Sequence, residues 1–259
     1  SAKMKICAGC SQELPRADRS KYQACCGKLI CYGCVYAGVK ADKRCICPLC
    51  KAPHQLSEGA LIERIKRRAE LDDAEAIYNL GGYYYRGECG VQQDSEKAVE
   101  LWIRAGELGD TAAFNNLGVA YRKGEGVGKD LQKAKYYYEL AAMGGNVKAR
   151  YNLGNLEKRA GNVDMAVKHW VISAAAGDEN SMKAIREGYT YGHVTEADIE
   201  KAWYAHKGTR NEMKSEQRDA AEEAISEVDV LGLILRTPGV LTKKPGMEMK
   251  SEQRDAAEI

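Results

Sequence analysis

Nine of the ten cysteines in this 259-residue chain fall between Cys7 and Cys50, and the tenth, Cys89, stands alone. Their order is Cys7-x2-Cys10, Cys25-Cys26, Cys31-x2-Cys34, Cys45 and Cys47-x2-Cys50. Two residues between cysteines allow a tight turn that aims both sulfurs at one tetrahedral ion. The span around these knuckles is short and poor in aliphatic residues, so it cannot bury enough surface to fold alone. Bound metal has to supply much of its folding free energy. The N-terminal stretch SAKMKICAGC lacks the apolar run of a signal peptide. Dense paired cysteines without such a run point to metal rather than disulfides, and to a reducing compartment, cytosol or nucleus. Cys89 reads as a small buried hydrophobe in a loop.

The cysteine segment resembles the RING finger family. Cys26-Gly27-Lys28-Leu29-Ile30-Cys31 matches the RING heart, with Lys28 where a histidine usually stands, and Cys47-Pro48-Leu49-Cys50 matches the closing C-P-x-C knuckle. The resemblance implies two interleaved Zn2+ sites. The first takes Cys7, Cys10, Cys31 and Cys34. The second takes Cys26, Cys47, Cys50 and a replacement for the histidine. All-cysteine RING variants take that ligand from just before the Cys-Gly pair, which selects Cys25; Cys45 is the rival and His54 a weaker one. The resemblance also implies docking of a ubiquitin-conjugating enzyme, with catalysis by positioning rather than by a nucleophile of this chain. The residues expected at that docking surface are Ile6, Gly9, Val35, Tyr36, Pro48, Leu49 and Lys51. Two departures bear on it: Gly9 stands where an apolar residue is usual, and the first tryptophan of the chain is Trp102.

The next part of the chain repeats itself. Leu80-Gly81, Leu117-Gly118 and Leu153-Gly154 sit in matching contexts at a spacing of 37 and 36 residues. Each is followed by a second helical stretch containing Ala98, Ala134 or Ala166. A period in this range means stacked supersecondary units. The glycines allow close helix approach. Trp102, Tyr138, Trp170 and Trp203 are expected to fill the space between units, and Gly109, Gly145 and Gly177 to end the second helices as left-handed caps. The pattern resembles the Sel1-like repeat family, a relative of the tetratricopeptide repeat. The second unit fits best, through Leu117, Gly118, Tyr121, Gly124, Gly126, Val127, Asp130, Lys133, Ala134, Tyr138, Ala141, Ala142 and Gly145. The third lacks the Gly-x-Gly-Val loop. A degraded fourth keeps Ile185, Tyr189, Gly192, Lys201, Ala202 and Trp203. Leu61, Ile65 and Ala69 align with the second half of a repeat and mark a capping helix close to the last zinc ligand, so the two modules are expected to meet at a defined angle. Arg64, Lys66, Arg67 and Arg68 are expected on its solvated outer face.

The fold class expected is mostly α. A RING-like zinc-binding module over 5–54 joins through a linker over 55–60 to an α-solenoid over 61–207, made of a capping helix and about three and a half repeats. A C-terminal helix and irregular tail occupy 208–259. Within the tail, Leu231, Leu233, Ile234 and Leu235 suggest a short packed segment, and the string EMKSEQRDAAE occurs at both 212–222 and 248–258.

Several function classes fall away. A formal net charge of +2 and no basic stripe argue against nucleic-acid binding, and no apolar run approaches the ~18–20 residues of a membrane span. GEGVGKD lacks the Gly-Lys-Ser/Thr ending and preceding strand of a phosphate loop, so it reads as a turn between helices. The tyrosine runs 83–85 and 136–138 read as packing rather than as a stacking platform. The function expected is an adaptor that recruits a protein on its repeats and engages ubiquitin machinery through its head. The alternative is a non-catalytic scaffold with a zinc-stapled protein-binding head.

Overall fold

The computed structural model describes residues 7–11, 20–41, 47–52 and 57–212. Ile6, Cys45, His54 and the tail from residue 213 onward lie outside the described residues. The head contains an antiparallel hairpin of β1 (Ser20–Gln23) and β2 (Lys28–Cys31), with Ser20 opposite Cys31 and Gln23 opposite Lys28. Helix α1 (Tyr32–Ala41) follows directly. The hairpin turn carries Cys25 and Cys26. It closes through the peptide N–H groups of Cys26 and Gly27, both donating to the Gln23 carbonyl at 3.1 and 2.8 Å.

The rest is a stack of antiparallel helices. A single helix, α2 (Glu58–Glu70), begins it. Three helix pairs follow: α3 (Ala74–Arg86) with α4 (Ser95–Glu107), α5 (Thr111–Lys123) with α6 (Leu131–Met143), and α7 (Val147–Arg159) with α8 (Val163–Ala175). Helices α9 (Glu179–Thr190) and α10 (Glu196–Glu212) end it. Asp73, Asp94, Asp110, Asp130, Asn146 and Asp178 each cap a helix by accepting a first-turn N–H. Such a cap stabilises by about 0.5–2 kcal/mol. Gly109, Gly145 and Gly177 take φ of +94°, +84° and +85°, so each second helix stops where the chain can turn left-handed.

Within each pair one contact sets the helix separation. A Cβ on Gly81 would lie 2.6 Å from Trp102 Nε1, on Gly118 2.5 Å from the Tyr138 ring, and on Gly154 2.4 Å from Trp170 Nε1. The backbone of one helix therefore lies directly on an aromatic ring of the next. The Trp102 indole N–H also donates to the Tyr78 carbonyl at 3.2 Å. Tyr138 is fully buried, whereas Tyr136 is exposed and meets the Tyr137 ring edge-on. The GEGVGKD loop is a turn that seats on the preceding repeat: a Cβ on Gly126 would lie 2.2 Å from the Ser95 carbonyl oxygen.

Repeats meet through polar contacts as well. Asn152 donates to Asn115 at 2.9 Å across α7 and α5. In the third unit Glu157 is buried and accepts from Lys135 at 2.7 Å and from Asn162 at 2.8 Å. Those two donors hold its carboxyl below the ordinary 4.5.

The fourth unit differs from the sequence expectation. Trp203 does not fill the inter-unit space but is 43 % exposed. His206 takes the interior place, with Nδ1 3.0 Å from the Ala174 carbonyl oxygen. The reason is register: in the other units the buried ring stands four residues after the small alanine, at Trp102 after Ala98, Tyr138 after Ala134 and Trp170 after Ala166, and four residues after Ala202 stands His206, whereas Trp203 follows Ala202 by one. Arg186 also follows Ile185 where the other units have glycine after leucine. Helix α10 packs mainly on α8.

Gly118→Ala should destabilise the chain. Alanine would gain about 1 kcal/mol in helix propensity, but overpacking against Tyr138 costs about 1–3 kcal/mol. The urea midpoint should fall, while Gly128→Ala, whose Cβ meets nothing within 4 Å, should leave it near its original value. Glu157→Gln tests the buried carboxylate. A depressed carboxyl stabilises above its unfolded pKa, and that contribution disappears as pH falls through the folded value. The variant should lose on the order of 1 kcal/mol at neutral pH, allowing for the exposed Lys135 ammonium. The difference should shrink in urea titrations as pH falls below the ordinary carboxylate range.

Candidate metal centres and their joint to the solenoid

Two knuckles of identical geometry supply half of the sulfurs. In the first, the Ser11 N–H donates to the Cys7 carbonyl at 2.9 Å; in the second, the Lys51 N–H donates to the Cys47 carbonyl at 2.9 Å. Ser11 and Lys51 then take φ of +58° and +60° and turn the chain away. The hairpin turn adds Cys25 and Cys26, and the β2–α1 junction adds Cys31 and Cys34.

The structure brings Cys7, Cys10, Cys31 and Cys34 into one group and Cys25, Cys26, Cys47 and Cys50 into another, with the sulfurs of each group all within 4.8 Å of one another. None of the eight is joined in a disulfide. Bonds of ~2.3 Å to a tetrahedral ion put neighbouring sulfurs ~3.8 Å apart. The separations are 3.7 Å for Cys7–Cys34, 3.9 Å for Cys10–Cys31 and 4.0 Å for Cys26–Cys47. These groups are sized for metal ions and far too open for S–S bonds.

The backbone is also arranged for thiolates. The Cys31 and Gly9 N–H groups point at Cys7 Sγ from 3.3 and 3.4 Å. Burial opposes ionisation of Cys7, but the N–H groups of Cys31, Cys10 and Gly9 outweigh it and hold the thiol down at about 6. Burial and neighbouring sulfurs push Cys25 and Cys34 up. Four thiolates in one pocket repel, and a divalent cation among them reverses that penalty.

Gly9 belongs to this packing. A Cβ there would lie 2.9 Å from Cys34 Sγ, so a larger side chain at this place would displace a sulfur of the first group. Of the other expected docking residues, Val35 is 2 % exposed and packs inside the head with Ile30, Cys7 and Cys31. It is core, not surface. Tyr36, Pro48 and Leu49 are half-buried, and Lys51 is exposed, its ammonium donating to the Pro48 carbonyl at 3.2 Å.

The joint to the solenoid rests on residues that carry no signal in the sequence. The Tyr22 hydroxyl donates to Asp73 Oδ2 at 2.7 Å, and Arg68 Nε and Nη2 donate to the same oxygen at 3.0 and 2.8 Å. Asp73 Oδ1 meanwhile accepts the Ala76 N–H as the cap of α3. Arg68 is thus drawn off the solvated face where its basic neighbours suggested it would lie. Its guanidinium covers the second cysteine turn so closely that a Cβ on Gly27 would lie 1.5 Å from Nη2. Tyr22 and Ala24 also pack on the apolar cluster formed by α2 to α5.

Comparison with known proteins bears on the solenoid. Residues 74–110 and 112–146 match the family model of the Sel1 repeat. The crystal structure of a Sel1 repeat protein from Oxalobacter formigenes is similar, with TM-score 0.54 and 24 % identity over 70 % of this chain and 71 % of that one. A protective antigen of uropathogenic Escherichia coli displaying an SLR fold has TM-score 0.51 and 23 % identity over 78 % of this chain and 41 % of its own. Both share the solenoid fold. No curated protein sequence matches the chain.

Two substitutions separate the joint from the stack. Tyr22→Phe keeps the α3 cap and removes one hydrogen bond to a charged group, a loss of about 1.5–3 kcal/mol at most. Gly27→Ala displaces Arg68 and also strains a left-handed turn at φ +68°. In both, amide exchange should quicken in β1 and β2 while α5 to α8 keep their protection.

Proposed function

We propose that this protein is a protein-interaction adaptor whose head is stapled by two Zn2+ ions and whose Sel1 repeats hold a protein partner. The observation that carries the reading is the pair of four-thiol groups with interleaved ligand order and near-tetrahedral sulfur spacing. All-thiolate tetrahedral sites with no open position suit structural zinc. Such an ion contributes folding free energy and no chemistry of its own. The repeats supply an extended surface made by stacking, whose partner is set by outward side chains rather than by the core. Thiolate ligands require a reducing compartment, cytosol or nucleus.

A second reading gives the head a task in ubiquitin transfer. Its support is the interleaved ligand order, Pro48 in the last knuckle, and Lys51 exposed immediately after Cys50. Against it stands Gly9, which leaves the expected docking groove without an apolar wall. Ligase action would need only that a conjugating enzyme dock on Tyr36, Pro48 and Leu49 and that its thioester be held near a lysine of the recruited protein.

Elemental analysis of chelator-free protein should find about two equivalents of zinc, one per four-sulfur set. Chelation, or Cys31→Ser, should unfold the head, since a structural site contributes on the order of 10 kcal/mol. The helical circular dichroism of the stack should persist. Well under two equivalents in intact protein would overturn the zinc reading. Autoubiquitination with a panel of conjugating enzymes decides the second reading, because absence of chains with every enzyme leaves the scaffold alone.

A further inference from the structure

The inner units bury the large ring four residues after the small alanine of the second helix; the last described unit buries His206 there and leaves its other aromatics outside. Tyr189 is 48 % exposed, Tyr191 67 %, Trp203 43 % and Tyr204 72 %. Arg186 links α9 to one of them. Its guanidinium carbon lies 5.5 Å from the centre of the Trp203 ring, and Tyr189 stands one turn further along the same face of α9. A solenoid needs its terminal unit covered or made polar, and four exposed aromatics in one terminal unit satisfy neither condition.

We propose that segment 230–235 of this same chain lies across the face of α9 and α10 and caps the solenoid. Chain connectivity favours it, because the chain leaves α10 directly into residues 213–229. That connection spans up to ~3.3–3.6 Å per residue, on the order of 55 Å, against roughly 12 Å of helix between Tyr204 and Glu212. Composition favours it too. The connection is mostly charged and polar, whereas Val230, Leu231, Leu233, Ile234 and Leu235 form a dense apolar run beyond it. Glu227 and Asp229 precede that run and complement Arg186 in charge. A tethered segment also acts at an effective concentration of order mM, above that of a second copy in dilute solution. The inference stands independently of metal in the head.

Tryptophan fluorescence reads this face directly. Trp102 and Trp170 are 3 % and 2 % exposed, so acrylamide quenching reports Trp203, with Trp203→Phe as the baseline. In the full chain, Leu231→Asp with Leu235→Asp should raise the Trp203 quenching constant severalfold, with helical circular dichroism unchanged and the protein monomeric. Equal quenching with and without the substitutions would overturn the proposal. So would shielding that disappears on dilution together with a dimer seen by light scattering, which gives the face to a second copy. As a reciprocal measure, Trp203→Glu should speed tryptic cleavage after Arg236 severalfold, and an unchanged rate counts against the proposal.

Discussion

The spacing of the whole stack depends on a glycine backbone lying against an aromatic ring, at Gly81 on Trp102, Gly118 on Tyr138 and Gly154 on Trp170. Each contact sets how near the two helices of a pair stand. That separation in turn fixes where the next unit can pack. The fourth unit lacks this contact: Arg186 occupies the glycine place, His206 stands four residues after Ala202 and goes in against Ala174, and Trp203, one residue after Ala202, faces outward. Because stability in such a stack is a sum of local terms, the irregular unit does not disturb the three before it.

The head is tied to this stack through one carboxylate. Asp73 starts α3, receives Tyr22 from the hairpin and holds Arg68 over the turn that carries Cys25 and Cys26. Burial and the hydrogen bond to Asp73 push the Tyr22 phenol well above its ordinary range, so it stays a donor. A cap, a joint and a cover for one four-sulfur group therefore share a single side chain. Loss of any partner is felt at both the head and the first repeat.

What was legible beforehand was mainly local or periodic. A C-x2-C knuckle is one tight turn, and it forms the same way at Cys7 and Cys47. A glycine recurring every 36 or 37 residues marks close helix contact, because only a missing Cβ leaves room for the ring. The sorting of sulfurs into two sets was different: it came from family resemblance, since spacing cannot tell which knuckles share an ion. Three features escaped for physical reasons. Val35 resembles a surface hydrophobe in sequence, but a head this small has few other residues to fill its interior. Arg68 sits among basic neighbours that do face solvent, and nothing local announces a hydrogen bond to a partner near Tyr22. Trp203 has the right residue type for the core but the wrong register, following Ala202 by one residue, while His206 holds the inward place four residues on.

The shared Asp73 also turns the molecule into a ruler. A flexible tether lets two bound partners explore a wide range of separations, and their encounter rate then follows tether length. Here the hairpin of the head and the first repeat are joined by side-chain hydrogen bonds rather than by a tether alone, so adding or deleting a repeat would lengthen or shorten the frame by one step measured from the head.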